Sequence, residues 1–235
     1  MLPNGRVLCV TSPLAEGTAA KDYPGPSYFF EFDGQAFTPI AAPSTGTSPA
    51  FAFRFLLLPS GQVLAANGSS DVEIYTPDGD PDPAWAPRVV NCPNLVSAGA
   101  TYRLQGTQLN GVSQAVSYGD DASMATNYPL VRLRRPDAGL VWFCRTHDHE
   151  TMAVATGKAV VATNFDVPAY IGIGPALLDV IANGIASEAV AVTVGATPAN
   201  GKPSRRFSCG PITAGGLLLI TFSVLAVEML SRQIH

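Results

Sequence analysis

The sequence predicts an all-β chain in three parts. A partial β-propeller of about two blades covers residues 1–91, an immunoglobulin-like β-sandwich covers 92–195, and a linker with an apolar C-terminal helix covers 196–235. Three observations lead there. Glycine and proline are plentiful, 22 and 20 of 235 residues, among many short β-branched and aromatic runs, which suits strands joined by turns. A strand–turn–strand unit recurs at an offset of about 56 residues, a propeller-blade length. Strand-like runs then follow at spacings of about 10 to 15 residues, the rhythm of a sandwich.

The recurring unit is LPNGRVLCV, from Leu2, and LPSGQVLAA, from Leu58. Gly5 and Gly61 stand where a tight hairpin needs positive φ. The first copy is followed by YFFEFDG (from Tyr28) and FTPI (from Phe37), the second by DVEIYTP (from Asp71) and PRVVN (from Pro87). FAFRFLLLP precedes the second copy, and its Phe51, Phe53 and Phe55 alternate to give one aromatic face. The first copy has no such leading strand. Two blades cannot close a ring, so open sheet edges are expected, covered by missing upstream blades or by a partner chain.

The sandwich strands are read from TYRLQGTQLNG, QAVSYGDD, PLVRLRR, LVWFCRTHD, KAVVATNFDVP, ALLDVIANG and EAVAVTV. The paired cysteines and tryptophan of antibody domains are not in this pattern. In the tail, Ile212 to Val227 runs about 16 residues without a charge, short of the ~20 that a spanning helix wants. Membrane contact through Ile212 to Leu230 is therefore one expectation; a helix added to the sandwich and a non-native extension are the others. Lys202, Arg205 and Arg206 before it and Arg232 after it would leave the folded part in the cytoplasm.

A net charge of -4 argues against nonspecific nucleic-acid binding, which needs a basic surface. Cys9, Cys92, Cys144 and Cys209 contain no CxxC pair, which argues against a zinc knuckle; free, partly buried thiols are expected over disulfides. The opening MLPNGRVLCV has no basic-then-apolar leader pattern, so the expectation is an intracellular chain or a start that is not the gene's own. Asn67 lies in an NGS glycosylation triplet, and Ser70 and Asp71 have no histidine nearby to make a hydrolase.

The stretch CRTHDHE, Cys144 to Glu150, holds two of the three histidines. In an extended strand His147 and His149 would point to one face, about 6 to 7 Å apart at Cα, and could chelate copper or zinc with a third donor. Asp120 and Asp121 are the candidates for that donor. The competing expectation has the histidines capping a loop, hydrogen-bonded to Asp148, Glu150 or backbone. Arg132, Arg134 and Arg135 form a small basic patch beside Asp137: solvated strand-end charges, or a contact for an anionic glycan. Asp120 and Asp121 face opposite ways if they sit in a strand, so a turn suits them better than an acid–base pair.

The runs FLLLPSGQVLAANGSSDVEIYTP, RVVNCP, YPLVRLRR…THDHE and ALLDVIANGIASEAVAVTV resemble the C-terminal end of a galactose oxidase-like protein, in which kelch-type blades precede an immunoglobulin-like domain. The resemblance covers about Leu2 to Val194 and implies a secreted or cell-surface protein. It also implies that His147, in its Thr-His pair, is a copper ligand. The Tyr-His pair that completes the family's copper site is matched here by Phe51 and Ala52, which have no donor atoms. One imidazole cannot hold copper usefully. The expected function is therefore a non-catalytic interaction or carbohydrate-binding module with a carbohydrate or protein partner. The alternatives are a copper-dependent oxidase or other metal enzyme using His147, and a membrane-anchored structural protein.

Overall fold

The computed structural model describes residues 1–14, 23–114 and 128–196. The run expected at QAVSYGDD with Asp120 and Asp121, the linker, Cys209 and the apolar segment 212–230 lie outside the described residues. Among the described residues no helix is long and apolar enough to cross a membrane. Met1–Gly201 packs as one unit.

That unit is all-β. Three strands, β1 (Val7–Thr11), β2 (Tyr28–Phe32) and β3 (Phe37–Ile40), form a first antiparallel sheet. Three more, β4 (Arg54–Leu57), β5 (Val63–Ala66) and β6 (Val72–Tyr75), form a second. The two LPxG copies fold alike. Leu2 N–H donates to Arg6 O at 2.7 Å and Gly5 N–H to Leu2 O at 3.0 Å; Leu58 N–H donates to Gln62 O at 2.8 Å and Gly61 N–H to Leu58 O at 2.9 Å. Gly5 and Gly61 take φ of 86° and 83°, the left-handed region expected for them.

One buried carboxylate ties the two small sheets together. Glu31 of β2 is 3% exposed; its Oε2 accepts from Arg6 Nη1 at 2.8 Å and its Oε1 from Tyr75 Oη on β6 at 2.6 Å. Burial and the bond to Glu31 push the Tyr75 phenol well above its ordinary value, so it stays a donor. Aromatic rings fill the rest: Phe29 meets Phe53 edge-on at 5.0 Å and Phe55 at 6.5 Å. Phe51 leaves this set. A 3-10 turn over Ala50–Ala52, with Ala52 N–H bonded to Pro49 O, breaks the alternation and leaves Phe51 47% exposed.

The remaining strands form one nine-stranded sheet. They are β7 (Arg88–Asn91), β8 (Leu95–Ser97), β9 (Thr101–Thr107), β10 (Leu130–Arg135), β11 (Leu140–His147), β12 (Val160–Asp166), β13 (Gly174–Ala182), β14 (Ile185–Ala186) and β15 (Val190–Gly195). The order is β7-β9-β12-β11-β10-β13-β15-β8, with β14 folded back on β13. β11 is shared: Leu140–Cys144 pair with β10, while Arg145–His147 pair with β12. The sheet therefore curls, and alternate residues of both arms meet in one core. Leu104, Val131, Leu133, Phe165, Leu178, Val180, Val192 and Val194 are 4% exposed or less. Each such aliphatic contributes about 1.5–3 kcal/mol on burial.

Two placements differ from the pattern read along the chain. Arg88–Asn91, expected as the last strand of the second repeat, pairs with β9 of the large sheet instead. The short β8 lies outside the sequence pattern; it pairs in parallel with β15, a long-range partnership that local periodicity does not encode.

The turn at Asn183-Gly184 joins the small sheets to the large one. Gly184, at φ 74°, lies so close to Gly61 that an added Cβ would stand 2.7 Å from Gly61 Cα and 3.3 Å from Leu58 O. Asn183 Oδ1 accepts from Val112 N–H at 2.8 Å and Ser113 N–H at 3.1 Å, and its Nδ2 donates to Ser113 O at 3.0 Å. Gly184→Ala should therefore lower stability by about 2–3 kcal/mol or more, the upper end of left-handed strain plus a backbone clash. Gly68→Ala, at a φ of 83° with open space around it, should lower it by only about 1 kcal/mol. Urea melts of the two variants check the difference.

Candidate functional site

The outer face of the large sheet carries an unexpected arrangement. In β10, Val131 and Leu133 turn into the core, so Leu130, Arg132 and Arg134 turn outward. Directly across on β13 Arg132 faces Asp179, and across on β11 it faces Phe143. Asp179 has no exposed surface. Its carboxylate accepts from Arg132 Nε at 2.8 Å and Arg132 Nη2 at 3.1 Å, and from Arg134 Nε at 2.7 Å. The two guanidinium groups roof the carboxylate, with 22% and 34% of their side chains still exposed.

This has a chemical consequence. A guanidinium carries five N–H donors in a rigid fork. Arg132 spends two on Asp179 and Arg134 one; among the described residues the others have no protein partner. Two cations against one anion leave a local excess of positive charge. Phe143 and Val141, 47% and 52% exposed, extend the same face beside Arg132 and Arg134. The arginines are thus anchored groups on a partly apolar surface, not freely solvated strand ends. Arg135 is not among them. It turns the other way, donates from Nη1 to Ile173 O at 3.2 Å and lies 3.8 Å from Asp137.

Asp179 is not among the residues that the sequence pattern singles out. The signal was present: a single carboxylate inside the apolar run ALLDVIA. A strand buried on both faces can hold such a charge only where cations meet it.

The histidines lie at the other arm of the curled sheet. His147 ends β11; of its partners, Asp166 lies at the end of β12 and Asp148 follows β11 in the loop. Its Nδ1 is 2.8 Å from Asp148 Oδ2 and its Nε2 is 3.1 Å from Asp166 Oδ1. Asp166 also accepts from Thr101 Oγ1 at 2.6 Å, and Asp148 from Asn164 Nδ2 at 3.3 Å. Ionised carboxylates only accept, so both contacts are satisfied when both ring nitrogens carry protons. Burial pulls the His147 pKa down, but the bonds to Asp148 and Asp166 outweigh it and the net shift is upward. Asp148 is held below its ordinary value by His147 and Asn164. Burial pushes Asp166 up, yet its bonds to Thr101 and His147 prevail and lower it.

The extended geometry that would aim His147 and His149 at one point breaks at Asp148, whose φ is 50°. His149 Nδ1 instead meets the buried Thr163 Oγ1 at 2.9 Å. Thr163 and Asn164 are successive residues of β12 and face opposite ways, so the two imidazoles serve opposite faces of that strand. Burial, then the charge of His147, depresses the His149 pKa. Copper or zinc at His147 would have to displace a proton and a carboxylate from one ring nitrogen. Among the described residues no group of three or more His, Cys, Asp or Glu side chains is placed to hold a metal ion. Glu150 pairs with Arg103 at 3.2 Å on the exposed surface, a contact of small energetic weight.

The other singled-out groups are structural in their contacts. Asn67 Nδ2 donates to Ser48 Oγ at 2.9 Å, tying the end of β5 to the connection between β3 and β4. Cys9, Cys92 and Cys144 are free thiols. Burial and the nearby Asp166 push the Cys144 thiol up to about 12, so it is not a nucleophile at neutral pH. No protein-family model matches the chain, and no curated protein matches it by sequence.

Two outcomes follow from this geometry. Asp179→Ala leaves two guanidiniums facing each other across a void, and should lower stability by about 3 kcal/mol in a denaturant melt. For His147, a folded pKa above the unfolded value near 6.5 means stability that is full below that pH and is lost as pH rises through the folded pKa. The stability difference between wild type and His147→Ala should thus be largest below about pH 6.5 and shrink as the pH rises above it, read from urea melts at a series of pH values.

Proposed function

We propose that this protein is a non-catalytic recognition module that binds an acidic saccharide on the outer face formed by Arg132, Arg134 and Phe143. The observation that carries this reading is the pair of guanidiniums locked by the buried Asp179 with their remaining donors turned outward. Such forks match a carboxylate or sulfate in a bidentate way, at small entropic cost because the side chains are already held. The exposed Phe143 ring offers a platform for a sugar face beside them.

The architecture belongs to the same proposal. The small sheets are kelch-type blades, the curled sheet is an immunoglobulin-like sandwich, and the chain is part of a galactose oxidase-like surface or secreted protein. The matching turns of the two LPxG copies and the continuous curled sheet after them support this. Phe51, exposed on its 3-10 turn, and Ala52 remain without donor atoms for the copper that the resemblance would bring to His147.

Affinity electrophoresis of the full chain through polygalacturonate or heparin, against neutral galactan, tests the reading. Retardation should appear with the acidic polymers and fall as salt rises. Arg134→Gln, which leaves Arg132 bidentate on Asp179, should weaken it roughly tenfold, about 1.4 kcal/mol. Equal binding to galactan, or no effect of the substitution, would refute the assignment.

A further inference from the structure

The outer face of the large sheet does not end at the arginines. Side chains alternate along β10 and β13, so Leu130 and Ile181 stand on the same face as Arg132 and Asp179. The two pairs are neighbouring rungs of one ladder: Arg132 lies opposite Asp179, and Leu130 opposite Ile181. A step of two residues along a strand is about 6 to 7 Å. At the Leu130–Ile181 rung, β4 and the turn after it come alongside. A crevice of about 180 Å³ remains there, lined by Leu56, Leu58, Tyr128, Leu130 and Ile181.

This crevice is apolar. Its walls are aliphatic side chains and the Tyr128 ring, and the Asn183 amide beside them is already spent on Val112 and Ser113. A sugar hydroxyl placed there would lose its water without gaining a partner, which costs free energy. An apolar group would gain instead. Apolar cavities of about 150 Å³ take up benzene, so the volume here suits one aromatic ring. Leu56 and Tyr128 are 43% and 42% exposed, so the crevice is open to solvent. Anchored cations and an open apolar crevice thus occupy adjacent rungs of one face.

We propose that the crevice is a second subsite of the saccharide site, and that the ligand is an acidic saccharide bearing an aryl group. Its carboxylate meets the donors of Arg132 and Arg134, and its aryl ring enters the crevice between Leu56 and Ile181. This inference deepens the acidic-saccharide reading and rests on it. The cations select the charge. The crevice selects, among acidic saccharides, those that carry a ring about one sugar away from the anion.

Calorimetric titration of the full chain with phenyl glucuronide, methyl glucuronide and phenyl glucoside tests this. Phenyl glucuronide should bind roughly tenfold more tightly than methyl glucuronide, because only the former has a ring to bury. Leu56→Trp, which fills the crevice from an exposed position, should bring the two glucuronides to within about twofold of each other. Arg134→Gln should weaken both glucuronides alike and leave their ratio unchanged. Equal binding of the two glucuronides by the wild type would overturn the crevice subsite and leave the acidic-saccharide reading standing. A phenyl preference that survives Leu56→Trp but is lost in Phe143→Ala would place the ring on Phe143 and also overturn it. Phenyl glucoside binding as tightly as phenyl glucuronide would overturn the acidic-saccharide reading and this inference with it, as would no binding of any of the three.

Discussion

The backbone contact at the Asn183-Gly184 turn is what makes one body of two kinds of sheet. Gly184 abuts Gly61 without a side chain between them, while Asn183 clasps the chain at Val112 and Ser113. Pro3 also packs against Gly61, its Cγ 3.0 Å from where a Cβ would stand. The turns of both repeats and the β13–β14 turn thus form a row in direct contact. A methyl group at either glycine would push the row apart, and the left-handed conformation at each would be strained as well. Beside this narrow junction lies an apolar crevice where Leu56, Leu58, Leu130 and Ile181 meet.

The same device appears on both sides of that junction. Glu31 in the first small sheet and Asp179 in the large one are buried carboxylates set among apolar strand residues. Each is satisfied by side chains from neighbouring strands or turns: Arg6 and Tyr75 for the first, Arg132 and Arg134 for the second. A buried carboxylate left alone would be costly, so each holds its partners in place. The outcomes differ. At Glu31 a donor from each repeat is drawn inward, and the result is cohesion. At Asp179 two cations are drawn to the surface of one sheet, and the result is a fixed, outward-facing pattern of donors.

The histidine stretch shows why a local motif can mislead. CRTHDHE has the residue types of a metal site. Whether its rings converge depends on one backbone angle, at Asp148, and on carboxylates that arrive from β12. Asp166 is nineteen residues from His147 in the chain and 3.1 Å from it in space. An imidazole between two carboxylates is best satisfied as a cation, and a cation is a poor ligand.

The sequence by itself determined the all-β class, the two LPxG repeats, the strands β9 to β13 and β15, and the need for glycine at positions 5 and 61. These are short-range properties: alternation of apolar residues and turn chemistry are written in neighbouring positions. It also determined that Phe51 and Ala52 cannot bind metal, because donor atoms are a matter of composition. Tertiary structure alone decided that β7 joins the large sheet, that β8 pairs in parallel with β15, that Asp179 anchors Arg132 and Arg134, and that His147 and His149 part company. Each of these depends on which distant strand lies alongside. Pairing between distant strands follows from how the whole core closes, and that is not a property of any short stretch.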